Sequence, residues 1–283
     1  MSIQAIYNTI NKKAQISLGL KQNVICLTEK PTIYEVILSG LNKTNVFINQ
    51  ACPGLDLSLC LTSDPVNTKT FFDTMLYNRI NGLVVFGDHP GQQLKKEDIA
   101  IIKHRLARCH NITHSESIKN SWPIDMDVYS VGIPSVSVTS NSRKSLVVMS
   151  SHNINQAKII HKQILEVIPD AGLLIDFNTS LDNLTAIVCD YKVCLNLDNY
   201  INVIFAMACG CSVVSRHNYG YNNVLTFRDS PSLNQSISDS LKYFDLEKNL
   251  RHAEQLVLRY DIETFEQTFA DMISKLSQEP FLL

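Results

Sequence analysis

The chain has 283 residues, 25 Lys plus Arg against 27 Asp plus Glu, and a formal net charge of -2. With 45% hydrophobic and 18% charged residues it has the composition of a folded globular protein, which excludes a disordered chain, and the near-neutral balance gives no global electrostatic sign of nucleic-acid binding. No run of apolar residues is long enough to span a bilayer, and the polar start "MSIQAIYNTINKKAQ" lacks the apolar core of a signal peptide, so a cytoplasmic location is expected.

In chain order, short runs rich in Val, Ile and Leu read as strands: "NVICLT" (23–28), "NVFIN" (45–49), "GLVVFG" (82–87), "DVYSVG" (127–132), "SLVVMS" (145–150), "GLLIDF" (172–177), "KVCLNL" (192–197) and "CSVVS" (211–215). Continuous apolar runs of this length fit parallel strands buried on both faces. Amphipathic segments lie between them. "KKEDIAIIKHRLA" (95–107) places Ile99, Ile102 and Leu106 on one face; "NINQAKIIHKQILEVI" (153–168) does so with Ile154, Ala157, Ile160, Ile164 and Ile168. The tail over 246–277 reads as a broken helix with two apolar faces. Alternation of strands and helices predicts α/β architecture with parallel sheets. The Ser-, Pro- and Asn-rich stretch 131–145 reads as a linker. The expectation is two doubly wound Rossmann-like domains, 1–135 and 136–283, facing a cleft. The eight cysteines show no CxxC or Cys/His ligand spacing, so they read as reduced, mostly buried thiols.

The segment "INVIFAMACGCSVVS" (201–215) reads as a short helix of small residues, a Gly in the left-handed region at Gly210, and a buried strand. The helix starts near Asn199–Asn202, directly after a strand. Ligands of open α/β sheets bind beyond the carboxyl ends of the strands, and a helix N-terminus there offers N–H groups and a positive dipole end to a phosphate. Every strand–helix unit has such a start, so the physics alone leaves a ligand site and a plain packing unit both open.

The wording "YINVIFAMACGCSVVS" (200–215) resembles the donor-binding segment of GT-B glycosyltransferases of the retaining, glycogen-synthase-like type, in the style of small bacteriophage enzymes. "SLVVMSSHNINQAKIIHKQILEVIPDAGLLIDF" (145–177) resembles the first strand–helix–strand of their C-terminal domain, and the tail resembles the helices that pack back after it. The resemblance implies a nucleotide-sugar donor held by Ser151, His152, Asn153, Asp198, Asn199, Tyr200, Ile201 and Asn202, with transfer to an acceptor hydroxyl. Hydroxymethylated bases in DNA are one candidate acceptor. No cofactor besides the co-substrate and no metal are expected, since no DxD motif lies in a suitable loop. Asp88 and His89, in "FGDHPGQ", are candidate catalytic residues: His to hydrogen-bond the donor sugar, Asp to orient it or act as base. The same residues also read as a Pro-Gly turn with two solvated polar groups. His114, Ser115, Tyr219, Tyr221 and the basic helix face Lys95, Lys96, Lys103, Arg105 and Arg108 carry weaker readings, with helix capping, loop surface and a solvated face as the alternatives. Two departures stand out. Leu197 and Phe205 occupy positions where the family carries glutamates, and the cations that usually follow the first strand of the domain are absent. A non-catalytic binding or partner subunit of the same fold is therefore the competing expectation.

Overall fold

The computed structural model describes residues 21–26, 32–48, 57–62, 69–89, 96–107, 109–133, 142–151, 153–221 and 223–281. Two compact units emerge. The first takes the described residues of 1–29, 38–129 and 263–283; the second takes those of 30–37 and 130–262. Beside the expected 1–135 and 136–283, the last segment groups with the first unit. Most of the expected linker (134–141) lies outside the described residues.

The first unit holds a six-stranded parallel sheet: β1 (Gln22–Cys26), β2 (Thr44–Ile48), β3 (Leu57–Thr62), β4 (Asn81–Phe86), β5 (Cys109–Thr113) and β6 (Asp127–Val128), in the order β2-β1-β3-β4-β5-β6. Its helices include α2 (Lys69–Asn78), α3 (Lys96–Leu106) and the short α4 (Glu116–Lys119); α1 (Ile33–Ser39) straddles the division between units. β3 was not among the expected strands. The expected strand 127–132 shrinks to two residues, and Ile133 instead bridges to Asp261.

The second unit holds a five-stranded parallel sheet: β7 (Lys144–Met149), β8 (Gly172–Leu174), β9 (Tyr191–Asn196), β10 (Ser212–Ser215) and β11 (Val224–Thr226), in the order β11-β10-β9-β7-β8. The strands are joined by α5 (Ile154–Leu165), α6 (Leu181–Cys189) and α7 (Tyr200–Ala208), and followed by α8 (Ser230–Lys242) and α9 (Leu246–Arg259). The final helix, α10 (Ile262–Gln278), begins where the expected tail breaks, next to Tyr260 and Asp261. On α5, Ala157 and Ile164 are buried and Ile160 packs on the same core, as their spacing requires, with Ile168 beyond the helix end packing there too.

α7 explains its own small residues. Every residue from Tyr200 to Ala208 is buried. The helix lies between the sheet, at β9 and β10, and α9, which packs on its other side. A helix covered on both faces needs apolar residues all round and small ones where backbones approach. Its C-terminus closes in a Schellman arrangement: the Gly210 N–H donates to the Met207 carbonyl (2.9 Å) and the Cys211 N–H to the Ala206 carbonyl (3.1 Å). Gly210 has φ +75°, and an added Cβ would stand 3.1 Å from Leu250 Cδ2 and 3.3 Å from an Arg143 guanidinium nitrogen. Conformation and space both demand glycine there. Phe205 is fully buried and Leu197 belongs to the hydrophobic core of the second unit.

Candidate functional site

In the second sheet β7 is the first strand, with β8 on one side and β9 on the other. The chain order reverses between β7 and β9, which makes their carboxyl ends the topological switch point where open α/β sheets bind ligands. Ser150 and Ser151 follow β7; Leu197, Asp198 and Asn199 follow β9.

These residues interlock. One Asp198 carboxylate oxygen accepts a hydrogen bond from the Ser150 hydroxyl (2.9 Å); the other accepts from the Ser151 hydroxyl (2.9 Å) and from the Ser151 backbone N–H. Ser150 Oγ in turn accepts from the Asn153 N–H (3.0 Å), and the Asn153 side-chain amide donates to the Leu197 carbonyl (3.3 Å). Asn196 holds the β9 turn by accepting from the Asp198 N–H (3.2 Å) and donating to the Asn199 carbonyl (3.1 Å). Ser150, Ser151 and Asp198 are all buried. The Ser151 hydroxyl, expected to meet a diphosphate, thus already serves a carboxylate, as does that of Ser150. Asn153 is the N-cap residue of α5 but makes no side-chain cap bond. His152 lies outside the described residues.

Asn199 caps α7: its side-chain oxygen accepts from the Asn202 N–H at 3.0 Å. Asn202 itself is fully buried, and among the described residues neither its side-chain oxygen nor its nitrogen has a hydrogen-bond partner. Such an orphaned amide costs about 1–3 kcal/mol unless a water or ligand meets it. Ile201 is fully buried beside it. Tyr200 opens a cluster of phenols, with its hydroxyl 3.0 Å from those of Tyr221 and Tyr260, which are 2.6 Å apart from each other. Burial raises the Tyr200 and Tyr221 pKa values, so these hydroxyls stay protonated at neutral pH. Tyr219, in the left-handed region at φ +50°, is buried against Tyr200 and donates its hydroxyl to the Asp198 carbonyl (3.3 Å). The loop carrying Tyr219 and Tyr221 therefore covers the start of α7.

The first unit places Asp88 and His89 after β4, both half-buried. The Asp88 carboxylate accepts from the His89 N–H (2.8 Å), the Asp88 carbonyl accepts from the Trp122 indole (2.8 Å), and His89 Nε2 lies 3.4 Å from the Ser117 hydroxyl. Pro90 and Gly91 lie outside the described residues. His114, after β5, is buried; its Nδ1 donates to the Tyr129 carbonyl at 2.6 Å, and burial lowers its pKa to about 4, so the ring is neutral at pH 7. Ser115 is the N-cap residue of α4 without a side-chain cap bond. Of the basic face, Lys103 is exposed and lines a groove of about 580 Å³ with Asn111, Lys119 and Trp122; the side chains of Lys95, Lys96, Arg105 and Arg108 lie outside the described residues.

The expected residues thus form two groups, Asp88 with His89 in the first unit and Ser151, Asn153, Asp198, Asn199, Tyr200, Ile201 and Asn202 in the second. Sequence reasoning missed Ser150, Asn196 and Tyr260. A Ser-Ser pair closing an apolar strand was the available signal for Ser150.

No protein-family model matches the chain, and no curated protein matches it by sequence. Solved structures do. A UDP-forming α,α-trehalose-phosphate synthase from Burkholderia vietnamiensis superposes with a TM-score of 0.50 at 7% identity, over 78% of this chain and 72% of that one. A UDP-N-acetylglucosamine 2-epimerase from Rickettsia bellii gives 0.47 at 8% identity, over 90% and 98% of the two chains. An α-glucosyltransferase in complex with UDP-glucose and abasic DNA gives 0.44 at 9% identity, over 89% and 99%. Identities this low speak to architecture alone, and among the described residues no helix is long and apolar enough to cross a membrane. The chain has an α/β fold of two parallel sheets with alternating helices, a fold it shares with the trehalose-phosphate synthase.

Proposed function

We propose that this chain is a cytoplasmic glycosyltransferase that moves a sugar from a nucleotide-activated donor to an acceptor hydroxyl, with the donor seated at the switch point of the second unit. The observation that carries this reading is Asn202: a fully buried amide with no hydrogen-bond partner among the described residues, in the first turn of the helix that starts at the carboxyl end of β9. It offers a donor and an acceptor side by side, the chemistry that a sugar or ribose diol completes. In this reading the dipole of α7 stabilises the departing diphosphate, and the nucleotide sugar is the only small molecule required. Seating it demands that the Tyr219–Tyr221 loop move off the start of α7.

Calorimetry with UDP, GDP and their glucose and N-acetylglucosamine derivatives tests the seat. Release of nucleoside diphosphate on adding acceptors, duplex DNA with hydroxymethylated bases among them, tests turnover. The reading expects one nucleotide sugar to bind, and Asn202→Leu to abolish that binding without loss of fold. Absence of binding across the panel overturns it. A second reading, a binding subunit without turnover, is favoured by Asp198: its carboxylate holds Ser150 and Ser151 and adds negative charge where a diphosphate would lie. Binding without release of nucleotide under every acceptor selects that reading.

A further inference from the structure

The turn between β10 and β11 reaches the start of α7 through Tyr219 and Tyr221. Arg216, His217, Asn218 and Gly220 are exposed, whereas Tyr219 is buried and Tyr221 half-buried. The turn is bonded within itself: the Tyr221 N–H donates to the Asn218 carbonyl (2.9 Å) and the Gly220 N–H to the Asn218 side-chain oxygen (3.0 Å). A turn that satisfies its own backbone can lift as a unit without giving up those bonds. Tyr219 has φ +50°. An L residue other than glycine rarely holds that conformation, so contacts keep Tyr219 there and it relaxes when they part. The groups it meets are fixed. Tyr200 is buried in the first turn of α7, and Tyr260 is buried as the C-cap of α9. The Tyr260 N–H donates to the Leu256 carbonyl (2.8 Å), and its own carbonyl accepts from the Ile133 N–H (2.8 Å). The Tyr221 hydroxyl lies 3.0 Å from that of Tyr200 and 2.6 Å from that of Tyr260, and the last two are 3.0 Å apart. A phenol donates one hydrogen bond and accepts others, so three oxygens at these distances close a ring in which every proton has an acceptor.

We propose that residues 217–221 form a lid over the first turn of α7, latched shut by the three-phenol ring, with Tyr221 as its moving member and Tyr200 and Tyr260 as the fixed ones. Lifting the lid breaks the two bonds that Tyr221 makes and leaves the bond between Tyr200 and Tyr260 intact. It also takes the Tyr219 ring off Tyr200, where the centroids stand 5.4 Å apart, and the Tyr219 hydroxyl off the Asp198 carbonyl (3.3 Å). The residues on both sides of the Asn199 cap are then uncovered together. A closed lid competes with any ligand for the start of α7, so apparent affinity falls by the fraction of molecules that are open. As regulation of a donor seat the lid rests on the reading of that seat given above; as a movement of this turn it does not.

Three variants of the full chain test the latch, read by amide hydrogen exchange at positions 200 and 201. These first-turn amides have no helical acceptor, so cover is what protects them. Tyr221→Phe, Tyr200→Phe and Tyr260→Phe each delete one oxygen and two of the ring's three bonds. They differ in what still ties the lid down: Tyr221→Phe leaves no bond from the lid to a fixed phenol, and each of the others leaves one. A net hydrogen bond is a factor of about five in an equilibrium, so exchange should rise about 25-fold in Tyr221→Phe and about 5-fold in the other two. A plain packing role for the phenols gives all three variants the same rise, since each loses two bonds. Tyr243→Phe, at an exposed ring outside the cluster, should change nothing. Affinity in calorimetry with the nucleotide-sugar panel should rise in the same order as exchange. Equal exchange in the three variants, no rise in Tyr221→Phe, or a rise matched by the core amides of β9 would each overturn the lid. The expected order of exchange, with no nucleotide bound by any variant, keeps the lid and removes the donor seat.

Discussion

Asp198 and His114 occupy equivalent places in the two units, each buried just beyond the carboxyl end of a parallel strand, and they are handled in opposite ways. Asp198 after β9 receives three hydrogen bonds from Ser150 and Ser151. His114 after β5 donates to the Tyr129 carbonyl, and its depressed pKa keeps it neutral. The residues that follow differ as well: Asn199 caps its helix through the side chain, and Ser115 does not. Burial alone does not decide whether a strand end can host charge; the donors supplied by the neighbouring strand's loop do. The second unit has that supply because β7 and β9 are adjacent, so the loop after one strand meets the loop after the other.

The largest expected effect comes from placing charge where the second unit supplies no donors. Phe205→Glu buries a carboxylate in a fully enclosed position of α7 and should destabilise by about 4 kcal/mol or more, read as a collapsed melting temperature. A well-folded variant with tighter UDP binding would return position 205 to the ligand site. Next, Asp198→Ala strands the two serine hydroxyls and the Ser151 N–H, at a cost of about 3 kcal/mol in urea unfolding. A loss under 1 kcal/mol would mean that water or the loop serves those donors equally well, and the contrast with His114 would fail.

The contrast also shows what the sequence carries. Strands such as "SLVVMS" and "KVCLNL" are legible because burial on both faces writes a continuous apolar run. β3 was not, since the fully buried Ser58 interrupts its run, and β11 is three residues at a sheet edge with Leu225 and Thr226 exposed. Gly210 was legible because a Gly between a helix pattern and a strand pattern has one common role. Asp198, Asn199 and Asn202 could be placed at a strand's end from local pattern alone. That Asp198 meets Ser150 and Ser151, 48 and 47 positions away, follows from strand order, which no local pattern encodes. The phenol cluster is hidden for the same reason: Tyr200, Tyr221 and Tyr260 come from a helix start, a loop and a helix end.

A pH series sharpens the histidine side. The folded pKa of His114 is about 4 against 6.5 for the free side chain. The unfolded chain therefore binds a proton between those values while the folded one does not, and stability should rise with pH from about 4 to 6.5 and level off above. The full window amounts to about 3 kcal/mol for this one group. Urea unfolding from pH 4.5 to 7.5 should show the slope in the native chain and a shallower one in His114→Gln. Identical slopes would place the acid sensitivity elsewhere.

The smallest effect separates the two helix starts. Asn199→Ala removes one cap bond, the 3.0 Å contact to the Asn202 N–H, and leaves the Asn199 carbonyl to accept from Asn196 as before. The backbone at φ -104°, ψ 169° suits alanine without strain. Only the cap is lost, so the cost should be about 1 kcal/mol. Ser115→Ala, at the start of α4, removes no side-chain cap bond and should cost less than about 0.5 kcal/mol. Paired urea titrations of the two variants measure the difference directly. Equal costs would mean that Ser115 caps in solution or that the Asn199 cap contributes nothing, and in either case the two strand ends would cease to differ in how their helices begin.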